Sequence, residues 1–163
     1  MKTVFDAKGE ELFQEILARF TLGNSRVLPT LHLAQAVFGA ITPEVESYVA
    51  DRLGLPISRV HEDVTFYHLY HPHPHGRYTL TICNNLSCLL CGSDALLAHL
   101  QKRLGIGPGE TTEDGLFTLE VSECIGACHQ APAFQVNGRF HGPLNPAQVD
   151  ELLDGLAKDG SGK

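Results

Sequence analysis

A chain of 163 residues is long enough for one domain, or two small ones, with a real core. Its net charge of -7, with 12 Lys and Arg against 19 Asp and Glu, disfavours nucleic acid, whose binding needs a basic face. No apolar run approaches the roughly 20 residues that span a bilayer, and the opening Met1-Lys2-Thr3-Val4-Phe5-Asp6 lacks the apolar core of a signal peptide. The expectation is a protein without direct membrane insertion, soluble in the cytoplasm or peripheral on the cytoplasmic side. In that reducing compartment five cysteines point to metal or redox chemistry, and the odd count argues against simple disulfide pairing.

From Glu10 to Phe20, apolar Leu12, Phe13, Ile16, Leu17 and Phe20 recur at helical spacing with polar residues opposite, and Gly23-Asn24 ends this first helix. Pro29 suits a first helical position, and the second helix runs until Gly39. Thr42-Pro43-Glu44 supplies a capping hydroxyl, a proline at the first turn and an acid over the helix dipole, for a third helix ending near Gly54. A fourth runs from Pro56 through Val60 and Val64 to Tyr67. Short helices on short connections make a small helical bundle, a docking extension over residues 1–74 rather than a comfortable independent domain.

His71-Pro72-His73-Pro74-His75-Gly76 marks the boundary, because alternating prolines remove donors and hold the backbone near polyproline geometry. Alternation in an extended chain throws its outer histidines apart from the middle one, so a solvated linker is preferred to a metal site. Residues 75–163 then read as a strand (Arg77 to Ile82), a cysteine loop, a helix (Ser93 to Leu104), a loop (Gly105 to Gly115), a strand (Leu116 to Val121) and a second cysteine loop. A hairpin follows, turning at Asn137-Gly138, and then a helix from Pro146 whose tail frays from Lys158. The order β-α-β-β-α is thioredoxin-like, an α/β fold preceded by the N-terminal helical bundle.

Cys83-x4-Cys88 and Cys124-x3-Cys128 each follow a strand, so both pairs open loops at strand ends that can meet above a sheet. Three ligand sets are open. Cys83, Cys88, Cys124 and Cys128 supply two thiolates to each iron of a two-iron cluster. Cys83, Cys88 and Cys91 copy the plant-type ferredoxin spacing and need one further cysteine. Four thiolates also suit a structural zinc, although the x4 and x3 gaps are wider than zinc-ribbon knuckles. Cys91 precedes Gly92-Ser93 and a clear helix, which places it toward the core or the helix start.

These cysteine motifs, with Ile125-Gly126-Ala127 inside the second, His129-Gln130-Ala131-Pro132 after it, the stretch Gly105 to Leu119, Leu28-Pro29-Thr30-Leu31-His32 and Thr65-Phe66-Tyr67, resemble the thioredoxin-like 2Fe-2S ferredoxin subunit of the NADH dehydrogenase module of respiratory complex I. The similarity runs from about Leu28 to Leu156 and extends to related subunits of NAD-linked or bifurcating hydrogenases and formate dehydrogenases. It implies a 2Fe-2S cluster on Cys83, Cys88, Cys124 and Cys128, and one-electron transfer by a subunit that is not catalytic alone. It also implies a flavoprotein partner that binds FMN and NAD(H), and further iron-sulfur subunits. Two departures stand out: Glu62-Asp63-Val64 where the family runs Gly-Val-Ala, suggesting a different docking surface, and Cys91 in place of a small or apolar residue.

Four residues are candidates for supporting the site. Cys91 is a spare thiol near the cluster. Gly126 allows a sharp turn or a close backbone approach that aims amides at sulfur. His129 is better read as a neighbour or an exposed residue than as a Rieske-type ligand. The resemblance implies a cis peptide before Pro132. A phosphate cradle at Gly105-x-Gly107-x-Gly109 is disfavoured, since it follows a helix and Pro108 removes an amide. Rivals from other classes are a zinc-stabilised interaction module and a dithiol oxidoreductase using Cys88-Leu89-Leu90-Cys91.

Overall fold

The computed structural model describes residues 3–160, in two compact units, Met1–Pro74 and His75–Lys163. Met1, Lys2 and the last three residues lie outside the described residues, and with them part of the opening segment and of the tail.

Unit 1 holds helices α1 (Ala7–Arg19), α2 (Val27–Phe38), α3 (Pro43–Leu53) and α4 (Ile57–Phe66). The first starts three residues earlier than its apolar spacing suggests, because the Asp6 carboxylate accepts the Gly9 amide at 2.7 Å and caps it. Its far end is closed by Arg26, whose guanidinium donates to the carbonyls of Phe20 at 2.6 Å and Leu17 at 3.1 Å. Helix α2 begins at Val27, ahead of Pro29. Thr42 does not cap α3 through a backbone amide; its hydroxyl donates to the Glu44 carboxylate and holds that carboxyl below its usual range. Gly39 and Gly54 close α2 and α3 in left-handed conformations that a side chain would strain.

The bundle has its own core of Phe13, Val27, Leu31, Ile41, Val49 and Val60. At its side Phe5 stacks on Phe38 at 5.5 Å and meets Tyr48 edge-on at 5.2 Å. Arg52 lies over the Phe13 ring at 4.2 Å and forks onto Glu10 at 2.7 and 2.8 Å, tying α3 to α1. The His-Pro segment is exposed over Pro72–Pro74, while His71 is bound into unit 1 through Gln35 and Ile41.

Unit 2 is a four-stranded sheet of β1 (Tyr78–Cys83), β2 (Phe117–Ser122), β3 (Phe134–Val136) and β4 (Arg139–His141), in the spatial order β2-β1-β3-β4. The central β1 runs parallel to β2 and antiparallel to β3. Right after β1 come two helices, α5 (Leu86–Leu90) and α6 (Ser93–Leu104), and the chain ends in α7 (Pro146–Gly160). So part of the first cysteine loop is helical, and the final helix continues through Lys158 instead of fraying there.

Leu80 and Ile82 of β1, Leu96 and Leu100 of α6, Phe134, Val149 and Leu153 form the core. Helices α6 and α7 are joined outside it by His99 to Asp150 at 3.0 Å and Arg103 to Asp154 at 2.7 Å. The hairpin turns at Asn137 (φ 48°) and Gly138 (φ 76°), and the Asn137 side chain accepts the Thr79 amide at 2.7 Å and donates to the Arg77 carbonyl at 3.0 Å. Residues 105–115 strap the outer edge of β2: the amides of Gly109 and Thr112 donate to the carbonyls of Leu119 and Phe117, and the Leu119 amide donates to Glu110. With the Gly107 amide spent on the Glu110 carboxylate at 2.6 Å, the glycines there have no free cradle to offer a phosphate.

Candidate metal centre

Cys83 is the last residue of β1, in register with Ser122 at the end of β2. Because these two strands are parallel and paired in full register, the segments that leave them start side by side. The Asn84 amide extends the ladder by one bond to the Ser122 carbonyl at 3.1 Å. From the other side β3 approaches, and the Cys83 amide donates to the Ala133 carbonyl at 3.1 Å. Both cysteine segments are thereby delivered to one end of the sheet.

Asn85 begins α5 by accepting the Leu86 amide at 2.9 Å, and that single turn swings Cys88 back to the strand end. Cys83 and Cys88 are both buried, and they pack with Ala127 and Ala133, flanked by Ile125 and Ala131, in a small apolar cluster. Alanines at these places leave room beside the sulfurs that larger side chains would fill.

The second segment turns at Gly126, whose φ of 75° only glycine adopts without strain; a Cβ there would meet nothing within 4 Å. Gly126 thus provides a turn, with no protein atom close to where a side chain would stand. After it, Cys128 opens a short 3-10 turn to Gln130, and the Ala131-Pro132 peptide is cis, as is Gly142-Pro143.

The sulfurs sit in a field of backbone groups. Burial pushes the Cys83 thiol up, but hydrogen bonds from the Asn85 amide, the Cys88 thiol and the Ile125 amide outweigh it and hold the thiol below its ordinary value. Its own S-H faces the Glu123 carbonyl at 3.6 Å. Cys88 is raised, first by burial and then by its bond to Cys83 and the charges of Cys83 and Cys128, against the Ala133 amide that donates to it at 3.4 Å. Residues 123, 125 and 128 of the second segment therefore all act on the sulfurs of the first.

Cys124 and Cys128 are exposed, and the charge of Cys128 reaches Cys88. Cys91 is also exposed, at the carboxyl end of α5 and just before the left-handed Gly92 that opens α6, so of the two expected places it takes the helix start and not the core. His129 is exposed and paired with its neighbour Gln130 at 2.9 Å. The sequence reading missed the amides of Asn85, Ile125 and Ala133, for which the only signal was the run of small residues around the cysteines.

Soft thiolates from two converging segments, with amide donors around the buried pair, fit an anionic iron-sulfur core. The sequence profile of the thioredoxin-like 2Fe-2S ferredoxins matches residues 13–157. The chain belongs to that family. Its cofactor is accordingly a 2Fe-2S cluster.

The chain is 46% identical over 144 residues to a subunit of the NADH-quinone oxidoreductase of Rhizobium meliloti, covering 88% of this chain and 86% of that one. It is 36% identical over 158 residues to the corresponding NADH-quinone oxidoreductase subunit of Rickettsia felis, covering 95% of each. Among solved structures, an NAD+-reducing NiFe-hydrogenase in its air-oxidized state superposes with a TM-score of 0.70 at 26% identity. That match covers 82% of this chain but only 23% of the hydrogenase chain, so the ferredoxin corresponds to a minor part of the larger protein.

Proposed function

We propose that Cys83, Cys88, Cys124 and Cys128 hold the cluster, and that the chain is the electron-transfer subunit of an NADH-quinone oxidoreductase, beside a flavoprotein that binds FMN and NAD(H) and further iron-sulfur subunits. The observation that carries the reading is the packing of both cysteine segments into one pocket, where Cys83, Cys88, Ala127 and Ala133 come from opposite halves of unit 2. When bound, a 2Fe-2S cluster supplies one-electron chemistry that needs no proton donor or base.

The polypeptide does the rest. Cys83 and Cys88 anchor one side from within the fold, Ala127 and Ala133 keep water from that side, and the amides of Asn85, Ile125 and Ala133 compensate negative charge on sulfur. Hydride oxidation belongs to the flavin of the partner. The 46% identity to a quinone-reductase subunit, against 26% to the hydrogenase, favours the quinone-linked complex over the hydrogenase alternative. No helix among the described residues is long and apolar enough to cross a membrane, which suits a place on the cytoplasmic face of such a complex. A zinc-stabilised module and a dithiol oxidoreductase gain no support from the family match.

Reductive titration followed by electron paramagnetic resonance tests the reading. The purified chain should take up one electron and give the axial or rhombic signal of a reduced 2Fe-2S centre; a silent, colourless protein contradicts it.

A further inference from the structure

Helix α5 places the buried Cys88 on its inner side and leaves three leucines bare on the other: Leu86 is 68%, Leu89 45% and Leu90 80% exposed. Positions i, i+3 and i+4 share one helical face, so these form a single apolar patch. The patch lies in a run from Tyr78 to Ser93 that contains no charged residue, in a chain where 19% of residues are charged. A soluble surface has no use for contiguous bare leucines, and a patch of this kind marks a protein contact.

We propose that the leucine face of α5 is the surface on which the electron-transfer partner, the flavin-bearing subunit, docks. The inference rests on the reading of Cys88 as a cluster ligand. That sulfur sits on the inner side of the same helical turn that carries the patch, so a redox partner seated there has only α5 between it and Cys88. Absence of charge fixes the partner's chemistry as well. Its complementary surface is apolar, and association depends on buried area, not on the chain's net charge of -7.

The test uses the cluster-loaded full-length chain and the flavin-bearing subunit of the same organism. Leu86→Ser with Leu90→Ser removes the two most exposed leucines of the patch, and Leu22→Ser, at a 70% exposed leucine of unit 1, serves as the control. The double variant should bind about a hundredfold more weakly with its optical and paramagnetic spectra unchanged, while the control binds normally. Affinity of the unaltered pair should change little as salt is raised.

Unchanged binding by a double variant that keeps its cluster overturns the proposal and leaves the cluster assignment standing. Steep weakening with salt overturns it too, as does a self-associated free chain that the double variant disperses, since the patch then belongs to a second copy. If the double variant loses its cluster, Leu90→Gln alone is measured and decides by the same readout. A wild-type chain without a 2Fe-2S signal sinks the reading beneath the proposal, a result distinct from all of these.

Discussion

The first cysteine segment leaves β1 through a continued ladder, is capped by Asn85, makes a turn of helix and returns Cys88 to a site 1% exposed. The second leaves β2 beside it, turns at a left-handed glycine and presents Cys124 and Cys128 to the surface. One pair of sulfurs is placed by secondary structure and burial. The other is placed by a few loop contacts, the Ile125 amide on Cys83 and the bond from the Gln130 amide to the Ala127 carbonyl among them. The difference is that one half of the proposed site is held by secondary structure and burial, and the other by fewer contacts, so that a bound cluster is expected to matter more for the order of the second half.

Removing the cluster is the largest test of that contrast. Cys124→Ser and Cys128→Ser should each abolish it, and in the resulting protein hydrogen exchange should accelerate at the Ile125 and Gln130 amides but hardly at Leu89 and Cys91, which are bonded within α5. Equal acceleration in both segments would mean that the first is no better preformed than the second.

Next in size is the scaffold under the first segment. Ile82→Ala, one residue before Cys83 and 1% exposed, should cost about 2–5 kcal/mol of unfolding free energy in urea titrations of the apo chain. A cost under about 1 kcal/mol would show that β1 does not support the loop as described.

Two glycines probe the second segment. A Cβ on Gly142 would lie 2.8 Å from the Gln130 carbonyl, backbone against backbone, whereas one on Gly126 meets open space and suffers only the left-handed φ, worth about 1–2 kcal/mol. Thermal melts should therefore rank Gly142→Ala well below Gly126→Ala, and the reverse order would contradict the close approach at Gln130. On the first segment, Asn85→Ala should cost about 1 kcal/mol in the same assay, since it removes the α5 cap.

The smallest effect expected is one of pH. Burial, aided by Arg139, depresses the His141 pKa below its ordinary 6.5, so the unfolded chain takes up a proton that the folded chain resists. Stability from this residue is complete above pH 6.5 and declines as pH falls toward the depressed folded value. Melting curves over that window should flatten in His141→Gln relative to the wild type; identical slopes would remove His141 from the account.

Much of this was legible in the chain. Asn137-Gly138 announced the hairpin because few residue pairs accept two positive φ angles, and the leucine spacing of 93–104 matched α6 end for end. Helix α5 was not legible, since five residues are too few to show a period and Leu-Ser-Cys-Leu-Leu reads equally as loop or core. Burial of Cys88 with exposure of Cys91, three positions on, follows from where that turn is pinned, which depends on Asn85 and Gly92. The strap of 105–115 along β2 and the grip of Asn137 on β1 are contacts between distant residues, for which local pattern carries no signal. In unit 1, Asp63 illustrates the same limit: it reads as an exposed acid of a docking face, yet it is 8% exposed and paired with Arg59 at 3.0 Å.

Metal and acid-labile sulfide analysis of the anaerobically purified chain and its five single Cys→Ser variants tests the central claim most directly. The account predicts two irons and two sulfides per chain in the wild type and Cys91→Ser, and neither in Cys83→Ser, Cys88→Ser, Cys124→Ser or Cys128→Ser. One zinc in place of iron, or a cluster that survives Cys124→Ser but disappears in Cys91→Ser, contradicts it.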